Sequence, residues 1–279
     1  MPVADTIKSL LNRKSLQSIA LPPMNALAHL QKGGVRHIFL DDGIWMHQTS
    51  RGYFAYHQPY LRLDLAQFDV FTRRYFFWGY EPRAGDVVMD VGAGVGEETL
   101  TFSKAVGERG KVICIEAHPR TYLCLEKLVQ YNCLKNVVPI HVAVTKPGCS
   151  AATIGNGCEY LANRLHEAGG ISVPAATIDE IHQQLNLGRI HFLKMNIEGS
   201  ERLAIRGMAA TLRQTQVLCV SCHDFLAESG KGEGYRTKNL VREFLLQSGL
   251  DVIDREHPDL PPYIRDQIWA YNRRLMQTA

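Results

Sequence analysis

The sequence predicts an α/β fold: a Rossmann-like, mostly parallel sheet with helices on both faces, an antiparallel hairpin at its C-terminal edge and an α+β cap in front. Three observations predict it. From Gly85 onward, short apolar runs rich in Val and Ile alternate with segments of helical period. The first of these runs, VVMDV, leads into a glycine turn, GAGVG, that opens a helical segment. The last two runs are joined by REHPDLPPYIRD, which has no helical pattern to carry a crossover, so these two strands should return antiparallel. At 279 residues and 46% hydrophobic composition, the chain is long enough for one large domain with an extension.

Taken in order, residues 5–20 place Ile7, Leu10, Leu11, Leu16 and Ile19 at nearly helical spacing behind Asp5 as a cap. PPMNALAHLQKGG adds a second short helix stopped by Gly33 and Gly34. VRHIFLDDGIWMHQ reads as a hairpin, because Asp42 and Gly43 tolerate the positive backbone angles of a tight turn. Leu65, Phe68, Phe71 and Tyr75 return to helical spacing. Residues 1–82 are thus expected to form the cap and 83–279 the sheet domain.

In that domain the strand candidates are 86–91, 111–116, 137–144, 190–197, 217–222, 250–254 and 267–272. The helix candidates are 95–107, 119–132, 178–186, 200–212 and 235–248. Pro119 suits a first helical turn, Thr177 with Glu180 has capping-box spacing, and Gly249 sits where a C-terminal cap belongs. Segment 148–176 fits no regular element and reads as a functional insertion or a loosely packed edge.

Composition narrows the partners. The formal net charge is +3 and no five like charges run together, which argues against nucleic acid and for a small neutral or modestly acidic substrate. Of seven cysteines, only Cys219 and Cys222 have the spacing of a redox or zinc motif, and they sit on a predicted strand whose alternation sends positions three apart to opposite faces. The N-terminus lacks a signal-peptide pattern, and no stretch approaches ~18 consecutive apolar residues, so a cytoplasmic protein without a membrane span is expected.

The glycine turn raises the question of which nucleotide it holds. Gly92, Gly94 and Gly96 follow a strand ending at Asp90, whereas dinucleotide sites usually read G-x-G-x-x-G against a pyrophosphate. Here the third glycine comes one residue early, and Glu97 and Glu98 follow in the first helical turn, where two carboxylates would oppose a pyrophosphate. Acids on both sides of the glycines favour a ligand carrying positive charge, such as S-adenosylmethionine with its sulfonium and ammonium. The second strand ends in Glu116, 26 residues after Asp90, and a carboxylate there can accept both ribose hydroxyls of either adenosine cofactor.

DVGAGVGEETL, VICIEAHP, TIDEI and above all FLKMNIEGSE resemble the FkbM family of S-adenosylmethionine-dependent methyltransferases, from about Gly85 to Arg273. The resemblance implies a class I methyltransferase sheet acting on hydroxyl oxygens of sugars and natural products. It implies that Asp90, Gly92 and Gly94 line the methionine part of the cofactor, that Glu116 holds the ribose and that Ala143 with its neighbours borders the adenine, with Ala93 and Ala117 also in the cofactor site. It also turns Lys194 to Glu201 toward the reaction centre. The chain departs from the family's K-x-D-x-E-G-x-E pattern at Asn196, where the family usually has aspartate, so a role needing charge there is not carried over.

For the chemistry itself, His223 and Asp224 follow the fifth strand, and a histidine can accept a hydroxyl proton at neutral pH. Lys194, Asn196 and Glu198 alternate on one strand, where Lys194 and Glu198 can pair. Asn196 and Asp224 are the side chains that would collect a magnesium ion, but one of them is neutral and no metal is expected. The expectation is therefore an O-methyltransferase for a small molecule, sugar or glycan, with His223, Asp224, Asn196 and Glu198 as catalytic candidates. The alternatives are a nicotinamide-dependent oxidoreductase and a cofactor-binding interaction protein without turnover.

Overall fold

The computed structural model describes residues 14–31, 34–155, 170–255 and 259–276. Most of the expected first helix therefore lies outside the described residues. A single helix, α1 (Lys14–Gln31), replaces the expected break and runs through Pro22 and Pro23. Each proline removes one intrahelical bond. Tertiary tethering offsets that loss: Asn25 Nδ2 donates to Ile38 O at 2.9 Å, and Ile38 N donates to Asn25 Oδ1 at 2.6 Å.

The expected hairpin forms from β1 (Val35–Asp41) and β2 (Ile44–Thr49), with φ of 49° at Asp42 and 76° at Gly43. A third antiparallel strand, β3 (Gly52–Tyr56), was not expected. Helix α2 (Leu65–Phe76) then sends Tyr75 and Phe76 into the core beneath the main sheet.

That sheet is built from β4 (Val87–Val91), β5 (Lys111–Glu116), β6 (Val137–His141), β10 (Ile190–Met195), β11 (Thr215–Ser221), β12 (Asp251–Asp254) and β13 (Gln267–Tyr271), in the order β12-β13-β11-β10-β4-β5-β6. All neighbours run parallel except β13, which is antiparallel to both β11 and β12, so the terminal hairpin sits at the edge as expected. Period-two alternation divides the sheet between two cores. Met89, Ile113, Leu193 and Leu218 face one side, and Val88, Val112, Phe192 and Val217 the other. Cys222 and Cys219 fall into these two different clusters, as the alternation requires.

Helices α3 (Thr99–Val106), α4 (Pro119–Tyr131), α5 (Ile178–Gln184) and α9 (Lys238–Gln247), the last preceded by the short α8 (Asp224–Glu228), cover the sheet. The capping box on α5 is present: Glu180 N donates to Thr177 Oγ1 at 3.1 Å, and Thr177 N to Glu180 Oε2 at 2.7 Å. The expected helix 200–212 is instead two pieces, α6 (Glu201–Ala204) and α7 (Ala209–Gln214), separated by a 3₁₀ turn. At Gly207 an added Cβ would lie 2.6 Å from Thr177 Cγ2, so the chain passes too close to α5 for a regular helix, and Asp179 caps the restart by accepting from Thr211 N at 2.6 Å.

Segment 148–176 corrects the expectation of no regular structure. It supplies β8 (Ala151–Ile154) and β9 (Ile171–Ala176), which form a small sheet with β7 (Ala143–Val144) in the order β7-β9-β8. Small residues and Pro174 hide the strand signal. β7 pairs only with Ala175 and Ala176, so at Pro174 the strand has a partner on one side alone. The expected strand 137–144 correspondingly divides between the main sheet and this one.

The N-terminal sheet rests on the outer face of α4. Ile38, Trp45, Met46 and Phe54 share a core with Cys124 and Leu128, and Lys127 Nζ bridges Asp41 at 2.6 Å and Asp42 at 3.0 Å. Among the described residues, no helix is long and apolar enough to cross a membrane.

Candidate active site

The glycine turn is fixed by the ends of three neighbouring strands. Gly92 N and Ala93 N donate to Ile115 O at 2.9 and 3.0 Å, and Asn196 N donates to Val91 O at 2.9 Å. Gly92 has φ 79°, and an added Cβ would lie 2.1 Å from Asn196 O, so only glycine fits there. Beyond the turn, Gly94 N donates to Glu116 Oε2 at 3.0 Å and His118 N to Glu116 Oε1 at 2.8 Å. Burial pushes the Glu116 carboxyl up to about 7, against those backbone amides, which hold it down.

An open cleft of about 700 Å³ lies over these strand ends. Of the expected residues, Gly92, Gly94, Glu116, Ala117, Ala143, Asn196 and Glu198 line it; Asp90, Ala93, His223 and Asp224 do not. The apolar walls, Ile115, Val142 and Ile154, were not singled out from the sequence, although Ile115 and Val142 carry a signal as apolar residues at predicted strand ends. Ile154 comes from β8, which the sequence did not reveal.

Asp90 and Ala93 lie under the turn instead. Asp90 is fully buried, with Lys194 Nζ 2.7 Å from its Oδ1. The same ammonium donates to Gly92 O at 2.8 Å and lies 5.2 Å from the Phe76 ring centre. Burial works against the charge on Lys194, but Asp90 and Glu98 outweigh it and raise its pKa. The expected Lys194–Glu198 pair is therefore overturned: β10 ends at Met195, and Glu198 has φ 53°, so strand alternation no longer relates the two. Glu98 is pushed up to about 7 by burial, with Glu97 and Asp90 adding to the effect and Lys194 opposing it.

His223 stands between two carboxylates, with Nε2 3.3 Å from Glu198 Oε1 and Nδ1 3.6 Å from Glu201 Oε1. Burial disfavours a charged ring, but the two acids prevail and raise its pKa to about 10. That shift favours the imidazolium over the neutral ring that a general base needs. Glu201 is fully buried and accepts from Ile197 N and Thr237 Oγ1, both at 3.2 Å, so its role is to tie loops together. Asp224 Oδ1 accepts from Thr237 N at 2.8 Å and Lys238 N at 3.0 Å, capping α9. That use ties Asp224 Oδ1 to the start of a helix, and Asp224 is not among the residues that line the cleft. Among the described residues, no group of three or more His, Cys, Asp or Glu could hold a metal ion.

A seven-stranded sheet with one antiparallel strand inserted beside the last, and a cleft across the carboxyl ends of β4 and β5, defines the class I methyltransferase fold. The chain belongs to the FkbM methyltransferase domain family, whose model matches residues 90–267, and so to the S-adenosylmethionine-dependent methyltransferases. None of the curated proteins matches it. Among solved structures it is similar to methyltransferase FkbM from Methylobacillus flagellatus, at 15% identity and TM-score 0.47, covering 74% of this chain and 48% of that one. It is also similar to Aeropyrum pernix fibrillarin with natively bound S-adenosylmethionine, at 14% identity and TM-score 0.43, covering 85% of this chain and 98% of that one. A third similarity is to a putative O-methyltransferase from Klebsiella pneumoniae, at 9% identity and TM-score 0.45, covering 95% and 96%.

Proposed function

We propose that the chain is an O-methyltransferase acting on a hydroxyl of a small molecule, sugar or glycan. One observation carries the cofactor half of this reading: among the described residues, the only charged ones lining the cleft are Glu116 and Glu198. Glu116 serves the ribose of either adenosine cofactor, so Glu198 is the discriminating residue: a pyrophosphate reaching it would meet a carboxylate and no cation among the described lining residues, whereas a sulfonium is matched by it. Glu116 would hold the ribose, since a carboxylate with each oxygen fixed by one backbone amide still has lone pairs for two hydroxyls. Gly92 and Gly94 would admit the methionine part, with Asp90 and Ala93 shaping the turn from below, and Ala117 and Ala143 would border the adenine against Ile115 and Val142.

The bound cofactor supplies an electrophilic methyl group. The chain supplies alignment, worth ~7 to 11 kcal/mol, and a place for the hydroxyl proton, worth ~10² to 10⁴ in rate. Alignment is therefore the larger contribution. We assign residues 1–82 as a cap, and the insertion carrying Ile154, which clusters with Ala143 and Ala117, as a wall on the adenine side of the cleft. The small net charge of +3 supports a small acceptor over nucleic acid. Incubation with methyl-labelled S-adenosylmethionine and a panel of sugars, hydroxylated natural products and RNA is expected to label ether oxygens of the small molecules. Label confined to RNA or to carbon would overturn the acceptor half of the proposal.

A further inference from the structure

We propose that Glu198 is the catalytic residue that faces the transferred methyl group and receives the acceptor's proton, with His223 behind it as its fixed counter-charge. This rests on the cleft holding S-adenosylmethionine. The sheet order puts Glu116 and Ala143 on one side of β4 and the end of β10 on the other. A cofactor whose ribose is held at Glu116 therefore reaches across the glycine turn toward Asn196 and Glu198. Of the two members of the Glu198–His223 pair, only Glu198 lines the cleft, and it stands between His223 and the open space. Asn196, on the same rim, carries a buried Oδ1 with no hydrogen-bond partner among the described residues, an acceptor site that a ligand would satisfy.

The backbone supports the assignment. Glu198 has φ 53°, a left-handed conformation that a glutamate adopts only at a cost, and Gly199 follows at φ 88°, where an added Cβ would lie 2.9 Å from Gly234 O. The loop thus holds a long carboxylate at a position where asparagine or glycine would be easier. In the transfer, the acceptor oxygen gains the methyl, its O–H bond breaks with the proton passing to the Glu198 carboxylate, and the electron pair of the broken S–CH₃ bond stays on sulfur. The imidazolium of His223 keeps its protons throughout, because both its nitrogens face acids.

The test needs no acceptor. Sinefungin carries an ammonium where S-adenosylmethionine carries its methyl, while S-adenosylhomocysteine carries nothing there. Calorimetry on the full chain is expected to show sinefungin binding tighter than S-adenosylhomocysteine by about tenfold or more, the worth of one charged hydrogen bond. In Glu198→Gln that preference should fall to within about threefold while S-adenosylhomocysteine affinity stays near wild type. Glu198→Asp, whose shorter acid tolerates the left-handed backbone better, should keep part of it. A preference undiminished in Glu198→Gln overturns this assignment alone. A wild-type chain that binds neither compound overturns the cofactor reading beneath it.

Discussion

Lys194→Met is expected to lower the free energy of unfolding by about 3 to 5 kcal/mol, because it leaves the buried Asp90 without its counter-ion. The same change frees Gly92 O, which Lys194 Nζ holds at 2.8 Å, so the glycine turn loosens and S-adenosylhomocysteine affinity falls as well. Packing alone predicts a small effect, since methionine has a similar shape and the Phe76 ring beside it remains. The electrostatic explanation has a second consequence: Asp90→Asn combined with Lys194→Met removes both charges and should recover much of the lost stability. Urea unfolding of the single and double variants measures this. A single variant within about 1 kcal/mol of wild type, or a double variant worse than additive, would show that the ion pair is not what holds the turn.

Glu116→Ala is expected to weaken S-adenosylhomocysteine binding by about 1.5 to 3 kcal/mol, roughly 10- to 150-fold, since the ribose hydroxyls lose a charged acceptor. The fold should lose little, because burial already works against this carboxylate. The elevated value also fixes a pH dependence. With Glu116 near 7 in the free protein, hydroxyls donating to its charged form lower its pKa on binding. Proton release then accompanies binding below about pH 7, and wild-type affinity should fall as pH drops from 8 to 6. The dependence should flatten in Glu116→Ala. An affinity independent of pH in both proteins would place the ribose elsewhere.

The features legible from sequence are those written in local pattern. Alternating apolar runs give β4, β5, β10 and β11, the glycines of GAGVG mark the turn, and the absence of a crossover pattern before Gln267 gives the antiparallel edge. Thr177 and Glu180 announce their own capping box. What escaped depends on contacts between distant segments. The Lys194–Asp90 pair follows from the register of β10 against β4, which no spacing within either strand reveals. Nothing in the sequence around His223 announces its partners, since only the fold brings Glu198 and Glu201 to its two nitrogens. Asp224 follows a strand in the sequence, and its partners, the first amides of a helix that starts 14 residues later, emerge only in the fold. Pro174 disguised a strand whose neighbours leave one side of it unpaired at that point.

The most direct measurement is a pair of calorimetric titrations of the wild-type chain, one with S-adenosylhomocysteine and one with NAD. A cleft whose charged lining among the described residues is Glu116 and Glu198 should bind S-adenosylhomocysteine in one-to-one stoichiometry, with the affinity loss in Glu116→Ala described above, and should show no heat of binding with NAD. Saturable binding of NAD with none of S-adenosylhomocysteine would contradict the assignment of the cleft as a methyl-donor site.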